Sequence, residues 1–146
     1  MWYRIDEYYY DSRREGAQRT DEEHYAGLVE LCGGRRIECV VVDPSAASFM
    51  ETIRRHGAYR VLPAENDVLD GIRRVSVALK QGEIKICANC ADAVREFGLY
   101  RWADVAGKDA PLKENDHAMD DIRYFVASLQ RETDDFCAVS VARREE

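Results

Sequence analysis

Several things are missing from this chain, and each absence narrows what it can be. No apolar run approaches the roughly 20 residues of a membrane-spanning helix, so no membrane association is expected. The start of the chain carries Arg4, Asp6 and Glu7 where a secretory signal would be apolar. Positive charge is in the minority: 21 Lys and Arg against 28 Asp and Glu give a net charge of −7. That excludes a protein that grips nucleic acid by bulk electrostatics, though not a carboxylate-lined site that a metal ion would neutralise. The five cysteines are an odd number at irregular spacing, which is not a disulfide framework and points to free thiols in a reducing, cytoplasmic setting. There is no phosphate-binding loop ending in Gly-Lys-Ser/Thr, no internal repeat and no linker. What is present is 146 residues, 46% of them hydrophobic, enough for one domain with a core of its own.

Periodicity orders the chain into alternating strands and helices, the pattern of an α/β sheet protein. Residues 1–10 read as an aromatic-rich strand. Thr20 followed by Glu23 is a capping box opening a helix that Gly33-Gly34 closes. Ile37 to Val42 is the most strand-like run. Asp43-Pro44-Ser45 is expected to start a second helix, with Pro44 in its first position, ending at Gly57. A short strand at 59–62, a helix from about Asp67 to Gln81 and a strand at 84–86 follow. A helix over 89–99 precedes an irregular connection at 100–114. The final helix, capped by Asn115 or Asp116, runs to about Arg131, with Ala118, Ile122, Phe125 and Leu129 as its apolar stripe. Residues 132–146 are expected to form a charged tail that frays.

The final helix carries the most chemistry. His117, Asp120, Asp121 and Tyr124 recur at spacings that share a helical face. Two adjacent carboxylates beside an imidazole repel one another when ionised, and a divalent cation would relieve that. Asp43 ends the strand at 37–42, so a strand-end carboxylate and a helical His-x-x-Asp could converge. Plainer readings stand beside this one. Asp43 before Pro44 is an ordinary helix cap, worth about 1 kcal/mol. Asp120 and Asp121 also suit the first turn of any helix, and His117 could simply cover the edge of the core. Cys87 and Cys90 have the spacing of half a zinc site, but no second pair with suitable spacing follows, which leaves buried or incidental thiols. Arg54, Arg55, Arg73 and Arg74 could contact phosphates or be solvated helix surface.

Four segments together resemble one known family. They are Tyr3-Arg4-Ile5-Asp6-Glu7-Tyr8-Tyr9, Val41-Val42-Asp43-Pro44-Ser45-Ala46, Asn66 through Gly71-Ile72, and Asn115-Asp116-His117-Ala118-Met119-Asp120. In this order they resemble the C-terminal nuclease domain of phage terminase large subunits, over nearly the whole chain. The resemblance implies an RNase H-like fold, a mixed sheet flanked by helices, within residues 1–131. It implies two divalent metals, Mg or Mn, held by acidic residues. Asp43 and Asp120 match two of those acids, His117 a position near the metals, and Asp121 is an adjacent candidate. Implied partners are double-stranded viral DNA, the terminase ATPase domain, the small subunit and the portal. The family's first acidic residue lies on a strand that pairs with the Asp43 strand, and no counterpart is found here. The chain is therefore expected to be N-terminally truncated, with a bare sheet edge prone to self-association. Two outcomes stay open: the nuclease portion of a terminase, or a catalytically incomplete prophage remnant that acts only as a structural or interaction module. A junction resolvase is a third reading, less suited to the long connection before Asn115.

Overall fold

A computed structural model of the protein describes residues 1–8, 15–99, 117–128 and 138–141. The end of the first expected strand, the connection at 100–114, the Asn115/Asp116 cap and the rest of the charged tail lie outside these residues. Within them the order is β1 (Trp2–Arg4), α1 (Asp21–Cys32), β2 (Cys39–Val42), α2 (Ala47–His56), β3 (Val61–Pro63), α3 (Val68–Lys80), β4 (Ile84–Ile86), α4 (Ala91–Leu99), α5 (His117–Ser128) and β5 (Ala138–Val141). The α/β class expected from the sequence is what the chain adopts. Its described strands pair in parallel throughout, in two small sheets ordered β3-β2-β5 and β1-β4.

Strand β2 is the centre of the larger sheet, and its composition explains why. All four residues of Cys39-Val40-Val41-Val42 are buried, as expected of a parallel strand covered on both faces. Alternation along the strand divides them. Val40 and Val42 face a core built with Tyr25, Leu28 and Cys32 of α1 and Phe49, Met50 and Ile53 of α2. Cys39 and Val41 face the opposite way, onto Ala64 and Tyr124 of α5. A separate core packs Ala118, Met119, Ile122 and Val126 of α5 against Ala78, Ile84, Cys90 and Ala93. Helix α5 therefore touches two cores, one on each side.

Two expectations are corrected here. The stretch read as a fraying tail contains β5, whose backbone pairs with β2 in the register Cys39↔Ala138 to Val42↔Val141. As a result the Asp43 strand has parallel neighbours on both sides rather than a bare edge. Pro44 also does not open a helix. The Asp43 Oδ1 accepts the Ser45 amide at 2.9 Å and the Asp43 carbonyl accepts the Ala46 amide at 2.9 Å, so 43–46 is a tight turn. Helix α2 begins only at Ala47, and Asp43 is thereby freed from the capping role.

Local signals elsewhere hold. Thr20 and Glu23 close a reciprocal capping box on α1, Asp67 caps α3 through the Asp70 amide, and Gly57 ends α2 in the left-handed conformation at φ 71°. The core and the caps should differ sharply in weight. Ile53, fully buried between α1, α2 and β2, should lose about 2–5 kcal/mol of unfolding free energy on change to Ala. Thr20→Ala should lose about 1 kcal/mol, and chemical-denaturation midpoints of the two variants test the ranking.

Candidate functional site

Helix α5 is placed by a carboxylate that belongs to another helix. Glu96 of α4, wholly buried, accepts the amides of Ala118 at 2.8 Å and Met119 at 3.2 Å through one oxygen, Oε1. Those amides lack partners inside their own helix, and a negative charge is favoured where the helix dipole is positive. The same device fixes α4: Glu7 accepts the amides of Asp92 at 2.7 Å and Ala93 at 3.2 Å. Arg4 of β1 then joins the two arrangements, bonding Asp121 at 2.7 Å and Glu7 at 3.3 Å. Its guanidinium is held firmly protonated: burial opposes the charge, but Asp121 and then Glu7 outweigh it. Trp2 meets Phe125 of α5 edge-on, with ring centroids 5.9 Å apart.

With its start fixed, α5 turns Asp120, Arg123 and Tyr124 towards the end of β2. Asp43 and Asp120 are each 5% exposed, Arg123 3% and Tyr124 1%. The Tyr124 hydroxyl donates to Asp43 Oδ2 at 2.7 Å and lies 3.4 Å from Asn66 Oδ1. Arg123 donates to Asp120 Oδ1 at 3.1 Å, and both of its terminal nitrogens reach Asn66 Oδ1 at 3.2 Å. The guanidinium also lies over the Tyr124 ring, 4.8 Å from its centroid, a cation–π contact. Asp43 arrives on this side by parity: continuing the alternation of Cys39 and Val41, it faces Tyr124. Burial, and then the bond to Asp43, push the Tyr124 phenol well above the ordinary tyrosine range, so it remains a donor.

The structure thus brings Asp43 and Asp120 into one buried hydrogen-bonded cluster. Asp121, on the next position of the helix, turns instead to Arg4. His117 stands one turn before Asp120, half-buried. Among the described residues there is no group of three or more His, Cys, Asp or Glu side chains able to hold a metal ion. The donors gathered here are two hard carboxylate oxygen groups, which suit Mg or Mn but form only part of a coordination shell. Cys87 and Cys90 are both free thiols; Cys90 is buried, with its pKa raised first by burial, which fits the packing role. Arg54, Arg55 and Arg73 are exposed, while Arg74 is paired with Asp70 at 2.7 Å.

Sequence reasoning gave no role to Arg123, Asn66 or Glu96. The spacing Asp120-x-x-Arg123 was a usable signal for an ion pair. Glu96 offered none, because a glutamate in a helix reads as surface.

No protein-family model matches the chain. A curated relative, the terminase large subunit of Escherichia phage T5, is 26% identical over 135 residues, covering 88% of this chain and 31% of its own length. A solved structure of the large terminase from the thermophilic bacteriophage D6E, in complex with ADP, superposes with a TM-score of 0.83 at 41% identity, over 89% of this chain and 34% of that one. A second crystal form of the D6E protein agrees, at TM-score 0.83 and 42% identity over 88% and 33%. The chain is homologous to part of the phage terminase large subunit. It spans about a third of the length of these relatives. The superposition agrees with the α/β fold found here. Among the described residues, no helix is long and apolar enough to cross a membrane.

Two measurements test the placement of the site. Glu96→Ala should destabilise the protein by about 1.5–3 kcal/mol, the range for hydrogen bonds to a charged group, and should raise hydrogen exchange at the Ala118 and Met119 amides. Tyr124, like Tyr25 and Tyr59, has a raised pKa, so the folded state keeps a phenol proton that the unfolded state releases above pH about 10. That stabilisation is present in full below pH 10 and is lost as pH rises beyond it. Tyr124→Phe should make the alkaline fall in unfolding free energy shallower.

Proposed function

We propose that this chain is the RNase H-like, metal-dependent nuclease part of a terminase large subunit, cutting double-stranded viral DNA during packaging. One observation carries the reading. In a chain homologous to large terminases, a strand-end carboxylate, Asp43, and a helical carboxylate, Asp120, share one buried cluster. Asp43 and Asp120 would be direct ligands of Mg or Mn. Bound there, the ions would supply an activated water and stabilise charge on the leaving oxygen. His117 would act one turn away, as a proton shuttle or a Mn-favouring ligand. Asp121 would have to leave Arg4 to join them. Tyr124 holds Asp43 in orientation, as the partners of metal-binding carboxylates do. The partners of this reading are DNA, the terminase ATPase domain, the small subunit and the portal, in the host cytoplasm.

A second reading has its own support. Among the described residues no three-donor group exists, and Asp120 is already neutralised by Arg123. Both fit a catalytically incomplete remnant that keeps the packing and serves as a structural or interaction module.

Incubation of the chain with supercoiled plasmid and Mn or Mg separates the two. Nuclease function predicts metal-dependent nicking and linearisation. Asp43→Ala or Asp120→Ala should reduce it by roughly 100-fold or more, beyond the roughly 10–100-fold typical of outer partners. Absence of cleavage together with absence of calorimetric Mn binding would identify the remnant.

A further inference from the structure

We propose that Arg123 is a positioning residue that acts as a resident counter-cation of the acid pair, holding Asp120 and, through Asn66 and Tyr124, Asp43 in place before any divalent ion arrives. The inference rests on the reading of Asp43 and Asp120 as metal ligands and adds a role for a side chain which that reading leaves unused.

The observations are geometric. Two buried carboxylates share one cluster, Asp43 through Tyr124 and Asp120 through Arg123, an arrangement that self-repulsion would open unless a positive charge were built in. Arg123 provides that charge, and its fork is divided between the two halves of the cluster. One terminal nitrogen binds Asp120 and Asn66, the other binds Asn66, and Asn66 in turn lies beside the Tyr124 hydroxyl that holds Asp43. A guanidinium suits this better than an ammonium, because its planar fork reaches two acceptors at fixed angles and stacks on the Tyr124 ring. The chain also keeps a slot open for it. Gly71 of α3 faces the Arg123 stem, and a Cβ at position 71 would collide with Arg123 Cγ and Cδ. The stem is 97% covered yet its Nε has no hydrogen-bond partner among the described residues. The contacts that hold the guanidinium are therefore those of its terminal nitrogens.

This arrangement has a consequence that ordinary packing would not. If Arg123 substitutes for a cation, a metal ion should compensate for its loss. Removing one member of a buried ion pair leaves an uncompensated charge, and an ion that binds only the folded state offsets the defect by mass action.

The test is thermal unfolding of the full chain in EDTA and in excess Mn, for the wild type, Arg123→Met and Asp120→Asn. Arg123→Met should melt several degrees below wild type in EDTA and recover most of the loss in Mn, so its Mn-induced rise exceeds that of the wild type. Folding of Arg123→Met only in the presence of Mn would support the proposal in its strongest form. An equal loss in both buffers, or no loss, overturns it. If Arg123→Met folds in neither buffer, Arg123→Gln decides by the same criterion, since it can still donate to Asp120 but brings no charge. Asp120→Asn separates the two levels of inference. If it keeps the wild-type Mn-induced rise, the metal reading itself fails. If it abolishes the rise while Arg123→Met loses stability equally in both buffers, only the role of Arg123 fails.

Discussion

The carboxylate of Glu96 on the first amides of α5 fixes the point at which that helix begins, and the phase of a helix is set by where it begins. One residue of slippage would rotate every later side chain by about 100°. Arg123 would then leave Asn66, and Tyr124 would leave Asp43. A buried charge is costly to strand, and Glu96 Oε1 accepts its hydrogen bonds from the Ala118 and Met119 amides in this placement of the helix. The cores on either side reinforce it: Ala118, Met119, Ile122 and Val126 fill one, Tyr124 the other. A shift that improved one face would empty the other.

Strand β2 imposes the matching constraint from the opposite side of the site. Burial on both faces leaves its alternation no freedom, because Val40 and Val42 belong to one core while Cys39 and Val41 belong to another. Asp43 inherits its direction from that parity. The tight turn through Pro44 and Ser45 then engages Asp43 Oδ1, so its Oδ2 is the atom left to Tyr124. The carboxylate is thus held by its own backbone on one side and by α5 on the other. Preorganisation of this kind is what a metal-binding or catalytic acid needs.

Much of this was legible in the residues. Thr20 and Glu23 announced their capping box, Gly57 its helix end, and the spacing of Val68, Ile72 and Val75 the helix at 68–80, because each of these signals is local. Asp43 and Asp120 could be paired as acids by their positions at the end of a strand and on a late helix. The failures were of two kinds. Local motifs compete at Pro44, where an Asp side chain bonding to its own backbone defeats helix initiation. Tertiary partnership was invisible elsewhere. Ala138-Val139-Ser140-Val141 is too short a run, in too charged a context, to declare a strand, and only β2 makes it one. Arg123, Asn66 and Glu96 look like surface residues until the helices that surround them are in place.

The pairing of β5 with β2 also bears on how the protein folds. Cys39 finds Ala138, and Val42 finds Val141, so the strand that ends in Asp43 takes its second neighbour from a distant part of the sequence. Contacts of such long separation form late and slow folding. Until β5 is in place, β2 has one open side, and the acid it carries sits at the edge of an unfinished sheet. The assembly of the site is thereby tied to a contact between distant parts of the chain.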